Sequence, residues 1–238
     1  MLLVSTMPGP KRILMIASNP AVSTTLGVPV GFWGSELTHP WLAFREARYE
    51  VTIASPLGGR LEMDALSDPR DASGYSAHDI VTMGFVHTPA CAKLLEESPA
   101  LETLDPAQFD AVLVCGGQGP MFTFRGNQAL EQTIGAFWDA GKPVAALCHG
   151  VAALVDLPWI ESRTLTGFSN AEEDIADSLM GRKVMPWRIE DAAKQRGANF
   201  IRAAAWQPFA VRDGQLITGQ QQYSGTATAR LLIETLGV

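Results

Sequence analysis

"PVAALCHGVAALV", residues 143–155, is a run of small and apolar side chains broken once, by Cys148 and His149 side by side. Two readings compete. The stretch is a buried strand that happens to contain a cysteine, or it is a strand bent at its end to present a thiol. Cysteine is among the most buried residue types, so packing alone explains an arbitrary one. Here the residues two before and two after Cys148 are Ala146 and Gly150. A strand that turns sharply into a helix brings backbone against backbone and needs small residues on both sides. That is the logic of a nucleophile elbow, with Cys as the nucleophile and Ala in place of the first Gly. The spacing predicts a strand to Leu147, a turn at Cys148 and a helix starting over His149 to Val155. A thiolate at such a helix start faces unpaired N–H groups and the positive end of the helix dipole, so its pKa is expected to fall.

Working outward, the same kind of strand recurs. "RILMIAS" (12–18), "YEVTIASP" (49–56) and "FDAVLVCGG" (109–117) are near-continuous apolar runs, the last two ending in Pro or Gly. Between them lie helical patterns: "SELTHPWLAFREAR" (35–48), and "NQALEQTIGAFWDAGK" (127–142) with Leu130, Ile134 and Phe137 on one face and Gly141 as a stop. "PWRIEDAAKQRGA" (186–198) and "SGTATARLLIETLG" (224–237) read as later helices. Apolar strands separated by helices indicate an α/β fold with a mostly parallel sheet covered on both faces. Residues 57–88 have weak periodicity and read as an excursion of loops and short helices. No linker divides the 238 residues, so a single domain over 1–238 is expected.

Composition narrows the function. Hydrophobic residues make up 47% of the chain, ample for a core, and the net charge is −7 with no basic stripe. Nucleic acid and anionic membrane surfaces are therefore not expected partners. The longest apolar runs fall far short of the roughly 20 residues of a membrane span. The start, "MLLVSTMPGPKR", is apolar first and basic last, the reverse of a secretory signal. Cys91, Cys115 and Cys148 are an odd number without metal-type spacing, which fits a reducing, cytoplasmic setting. His39, His78 and His87 show no ligand spacing either, so neither a catalytic metal nor another cofactor is expected. Cys91, within "PACAKLLEE" (89–97), and Cys115 read as packing residues.

Other candidates stay open at the level of spacing. Immediate neighbours on a helix do not face each other, so His149 is either a pocket residue or a partly buried cap of the turn. "CGGQGPMFTF" (115–124) is no phosphate loop, lacking the following Lys-Ser/Thr, and no dinucleotide fingerprint, because Pro120 and aromatic residues stand where a helix should begin. Its glycines can still expose N–H groups to an oxyanion. Glu36, among Phe32, Trp33 and Leu37, reads locally as a surface acid at a helix start. Glu172, Glu173 and Asp174 also suit a helix start, and one of them could reach a histidine. Trp33, Phe168, Trp187 and Trp206 are core or interface residues by default, while Trp33 and Phe168 adjoin proposed site segments and are candidates for the pocket wall.

Together, "ELTHP", "ASPLGG" with Asp64 following, "AVLVCGGQGP", "AALCHG", "LTGFSNAEE", "RIEDAAKQRGANF" and "GQLITGQ" resemble the ThiJ/PfpI superfamily, over about Arg12 to Leu236. The likeness is to its heat-shock chaperone and glyoxalase III branch. The resemblance implies a class I glutamine amidotransferase-like, flavodoxin-like fold. It implies Cys148 as nucleophile, His149 as its base, Glu173 as the acid on that His, and Glu36 as the acid bonded to the thiol. It implies the N–H groups of Gly117 and His149 as oxyanion donors, and a homodimer. Two positions depart from the pattern. Many members of that branch have a His where this chain has Gln118, and an Asp soon after where it has Thr123. Gln118 donates and accepts hydrogen bonds but cannot shuttle a proton. True glutamine amidotransferases carry a further His near the C-terminus, and no His follows His149 here.

The expected activity is a cofactor-independent conversion of small 2-oxoaldehydes such as methylglyoxal to 2-hydroxy acids. It runs through a Cys148 hemithioacetal, with a small carbonyl compound as partner. The rivals are another Cys-dependent hydrolase or hydratase on the same scaffold, favoured if Gln118 and Thr123 line the pocket, and a holding chaperone or redox sensor.

Overall fold

A computed structural model of the protein describes residues 9–237, so the reading of the first residues as no secretory signal lies outside it. In chain order the strands are β1 (Arg12–Ile16), β2 (Ala21–Val22), β3 (Pro29–Val30), β4 (Glu50–Ala54), β5 (Ala111–Val114), β6 (Val144–Leu147), β7 (Thr164–Leu165), β8 (Asn199–Phe200), β9 (Ala210–Asp213) and β10 (Leu216–Gly219). The α-helices are α1 (Gly34–Glu46), α2 (Ile80–His87), α3 (Pro89–Glu96), α4 (Pro120–Thr123), α5 (Gln128–Asp139), α6 (Asn170–Met180), α7 (Ile189–Gln195) and α8 (Gly225–Leu236). Six strands form the central sheet in the order β4-β1-β5-β6-β10-β9. All neighbours run parallel except β9, which pairs antiparallel with β10.

Every residue of β5 and β6 is buried, as apolar runs covered on both faces must be. The pleat splits each strand between two cores. Leu14, Ile16, Val112, Val114, Val144 and Ala146 pack on the α5 and α7 side. Ile13, Met15, Leu113, Ala145 and Leu147 pack with Phe44 of α1 and Leu232 of α8 on the other. Each such Leu, Ile or Phe contributes about 1.5–3 kcal/mol on burial. No described helix is long and apolar enough to cross a membrane. Residues 57–88 hold loops and one short 3-10 turn (Ala65–Ser67) and are closed by α2, whose N-cap is the Asp79 carboxyl.

Two local expectations are corrected. The segment after β6 is not the start of an α-helix. Cys148–Ala153 is a 3-10 helix, buried at every residue. It is wedged against β5, α4 and α7, and the narrower i to i+3 coil is what that gap admits. Conversely, a short helix does begin after the glycine loop. α4 starts at Pro120, a residue whose missing N–H costs nothing at a first helical position.

Candidate active site

Cys148 stands at the carboxyl end of β6, where open parallel sheets bind their ligands. Its φ is +55°, in the left-handed region that a side chain with a Cβ rarely occupies. Such a conformation costs on the order of 1–3 kcal/mol and persists only when its surroundings enforce it. Gly150 shows how they do. A Cβ there would lie 2.7 Å from the carbonyl oxygens of both Val114 and Cys115. The chain after the cysteine is thus pressed directly onto the end of β5, and the bend falls on Cys148.

Three ionisable side chains build the site at the sulfur. His149 Nδ1 lies 3.7 Å from Cys148 Sγ. His149 Nε2 lies 2.9 Å from Glu173 Oε1, with both side chains almost wholly buried. A carboxylate only accepts, so Nε2 carries the hydrogen and the Nδ1 lone pair is left facing the sulfur. Phe168 fixes the ring from the side, its centroid 4.3 Å away, and Trp206 packs edge-on against Phe168. The third group is Glu36, which is no surface acid. It is fully buried, its Oε2 accepts the Gly116 N–H at 2.9 Å, and it interacts with the Cys148 thiol.

The electrostatics reverse one expectation. Burial first, and then the neighbouring Glu36, push the Cys148 thiol well above its ordinary pKa, against the lowering by the His149 and Gly117 N–H groups. Two turns of 3-10 helix supply too few aligned peptides to outweigh desolvation. Burial likewise raises Glu36 well above the usual carboxyl range, opposed by Cys148 and Gly116 and reinforced by Asp64 and Glu172. Burial therefore favours the neutral form of both the thiol and the carboxyl.

That neutrality has a stability consequence. The native state holds a proton on Glu36 that the unfolded chain releases near pH 4.5, so burial of this acid destabilises the protein increasingly as pH rises above that value. Glu36 Oε1 also has no hydrogen-bond partner. In Glu36→Gln the amide oxygen can keep the Gly116 N–H while the amide nitrogen faces the sulfur. The variant is expected to melt higher at pH 8, by roughly 1–3 kcal/mol of stability, and to lose that advantage near pH 4. Thermal melts across that range check it, and a pH-independent difference would contradict it.

The acids of the 172–174 run separate by partner. Glu172 is structural: Oε2 accepts from the Ser169 N–H and hydroxyl in a capping box, and Oε1 accepts from the Trp206 N–H and Gln220 Nε2. Asp174 points outward to Arg188. Only Glu173 meets His149. Of the loop residues, Gly117 (φ +113°) packs beneath the Phe32–Trp33 backbone, and Trp33 N–H bonds to Gly116 O at 3.0 Å. The Trp33 side chain faces a cavity of about 410 Å³ together with Tyr75 and Tyr223. Gln118 gives its N–H to Asp64, while its side-chain Oε1 is buried without a partner. Thr123 turns its hydroxyl to Gly119 O.

Cys115 is buried in the sheet, and Cys91 on α3 packs at the edge of the second core. Trp187 is partly buried, donating to Met121 O. Among the described residues no group of three or more His, Cys, Asp or Glu is placed to hold a metal ion. The residue that sequence reasoning missed is Asp64. Its signal was one of two acids, with Glu62, in the apolar-flanked "LEMDAL" of an otherwise patternless stretch.

Known proteins share this arrangement's scaffold along nearly the whole chain. Glyoxalase 3 of Candida albicans is 28% identical over 235 residues, covering 94% of this chain and 97% of that protein. The glutathione-independent glyoxalase HSP31 of Saccharomyces cerevisiae is 28% identical, covering 95% and 98%. The structure of the Rapid Encystment Protein 24 KDa from Francisella tularensis superposes with a TM-score of 0.86 at 27% identity, covering 96% of this chain and 100% of that one. The sheet order, the strained cysteine and these relatives agree with a match of residues 25–235 to the DJ-1/PfpI family, and the chain belongs to that family.

Proposed function

We propose that this protein converts small 2-oxoaldehydes, methylglyoxal among them, to 2-hydroxy acids without glutathione or another cofactor. The observation that carries the reading is the line Cys148–His149–Glu173, with a basic imidazole nitrogen turned to a strained, neutral thiol. The names of the two glyoxalase relatives support it.

In this mechanism Cys148 Sγ adds to the aldehyde carbon while its proton passes to His149 Nδ1. That proton is then delivered to the new alkoxide, giving a hemithioacetal. The Gly117 and His149 N–H groups, which already favour negative charge at the sulfur, steady the developing oxyanion. His149 next removes the hydrogen from the former aldehyde carbon and returns a proton to the neighbouring carbon through an enediol. The product is a thioester of the 2-hydroxy acid on Cys148. Water cleaves it, restoring the thiol. A neutral resting thiol suits this order, because ionisation is coupled to attack and the site does not hold a buried anion. Phe168 positions the imidazole, and the Gly116–Gly117 backbone lies against Cys148. Three free cysteines fit a cytoplasmic setting, and a homodimer is the expected assembly.

The test is purified protein with methylglyoxal in the absence of thiols. Lactate formed in step with methylglyoxal lost supports the reading, and no turnover overturns it. A far better non-aldehyde ester or amide substrate would instead favour a Cys-dependent hydrolase.

A further inference from the structure

Three stretches far apart in the chain meet beside the elbow, and one side chain ties them. Main-chain bonds run from Phe32 N–H to Glu62 O (3.1 Å), from Asp64 N–H to Phe32 O (2.8 Å) and from Gly119 N–H to Gly31 O (2.7 Å). The Asp64 carboxyl closes the mesh. Its Oδ1 accepts the Gly31 N–H at 2.8 Å and its Oδ2 accepts the Gln118 N–H at 2.6 Å. Asp64 is almost wholly buried. An acid sequestered so deeply is expensive. The two N–H groups it satisfies belong to segments already linked by backbone bonds, so it adds rigidity where the fold is already closed.

What it rigidifies is the residue after Gly117. Gly117 N–H is one of two backbone donors that favour the thiolate form of Cys148. We propose that Asp64 is a positioning residue of the active site. By holding Gln118 N–H against Gly31 N–H it fixes the Gly116–Gln118 loop so that the Gly117 N–H stays aimed at the sulfur and at the oxyanion formed there. The inference uses the Cys148 site of the proposed function but does not require its substrate.

The charged groups facing Asp64 let the test separate positioning from simple electrostatics. Glu36 of α1 and His149 of the elbow interact with it across the site. Burial raises the Asp64 pKa to about 6, opposed by the Gly31 and Gln118 N–H groups and by His149, so the carboxyl is mostly ionised above that pH. Removing a negative charge near a thiol makes the thiolate easier to form. Releasing the Gly117 N–H makes it harder. The two effects have opposite signs.

The experiment is alkylation by iodoacetamide across pH, followed by mass spectrometry of the proteolytic peptide that carries Cys148 alone of the three free cysteines, in wild type, Asp64→Asn and Asp64→Ser. No turnover is needed, so a protein inactive on methylglyoxal still answers. Positioning predicts that the midpoint of the rate–pH curve moves up by about one unit in both variants, a tenfold loss of reactivity at fixed pH below the midpoint. The plateau rate at high pH should be preserved. A downward shift, an unchanged midpoint, or an equal loss at every pH overturns the proposal. Asp64→Ser keeps one hydroxyl acceptor, so if Asp64→Asn does not fold, the Ser variant carries the same three outcomes alone.

Discussion

Cys148→Ala is expected to abolish conversion of methylglyoxal to lactate, with a loss of at least about 10⁴-fold in kcat/KM, because residues that act as a unit fail together when the nucleophile is removed. The covalent route splits one difficult hydride-like rearrangement into addition, proton transfer and hydrolysis, and each stage needs carbon bound to sulfur. Cys148→Ser is expected to be nearly as inactive. Its hydroxyl has the same position, but it is a far weaker nucleophile, and the acid beside it at Glu36 is itself neutral. Both variants should fold. The left-handed backbone at residue 148 is enforced by Gly150 beneath the carbonyls of Val114 and Cys115, not by the sulfur. The check is lactate production with matched far-UV spectra and melting curves. Turnover of either variant above about a hundredth of wild type would remove the sulfur from the mechanism.

The difference between that nucleophile's position and its ionisation shows where sequence reasoning stops. The bend at Cys148 was legible because it depends on near neighbours: an all-apolar β6, Ala146 before the turn and Gly150 after it. The central sheet was legible for the same reason, since β5 and β6 are apolar at every position and helical spacing separates them. The state of the thiol depends on Glu36, which reads locally as an exposed acid at a helix start. Only the folding of α1 against the Gly116 loop takes that carboxyl into the interior. Family likeness implies its place beside the sulfur, but the desolvation that favours the neutral form of both groups is a property of packing. The 3-10 segment was misread because its small apolar residues suit an α-helix equally well, and the gap between β5, α4 and α7 decides the coil. Asp64 carries no local signal of its role, since its partners are main-chain N–H groups that leave no side-chain pattern.

Glu173 is where the acid run resolves to one residue, and its removal is the second large effect. In Glu173→Ala the His149 Nε2–H loses its acceptor in a buried site, and the ring is free to place its hydrogen on Nδ1 instead. The sulfur and the substrate carbon would then face a donor where a base is required. General-base catalysis by a positioned imidazole contributes about 10²–10⁴-fold, and most of it should disappear from kcat. KM should change little, because Glu173 lies behind the imidazole, away from the sulfur. Glu173→Gln gives an internal control. Its amide oxygen can still accept Nε2–H, so it should retain part of the rate, whereas the opposite amide orientation would donate to Nε2 and fix the wrong tautomer. The order wild type, then Gln, then Ala in kcat is therefore expected. The unpaired Nε2–H also costs about 1–3 kcal/mol of stability in the Ala variant, so rates must be compared well below its melting temperature. Neighbouring Glu172 supplies the contrast. Its oxygens hold Ser169, Trp206 and Gln220, so Glu172→Ala should lower the melting temperature more than it lowers kcat per folded molecule. If Glu173→Ala kept kcat within about threefold of wild type while folded, the imidazole would need no acid behind it, and His149 would serve the site through its N–H and its packing on Phe168 alone.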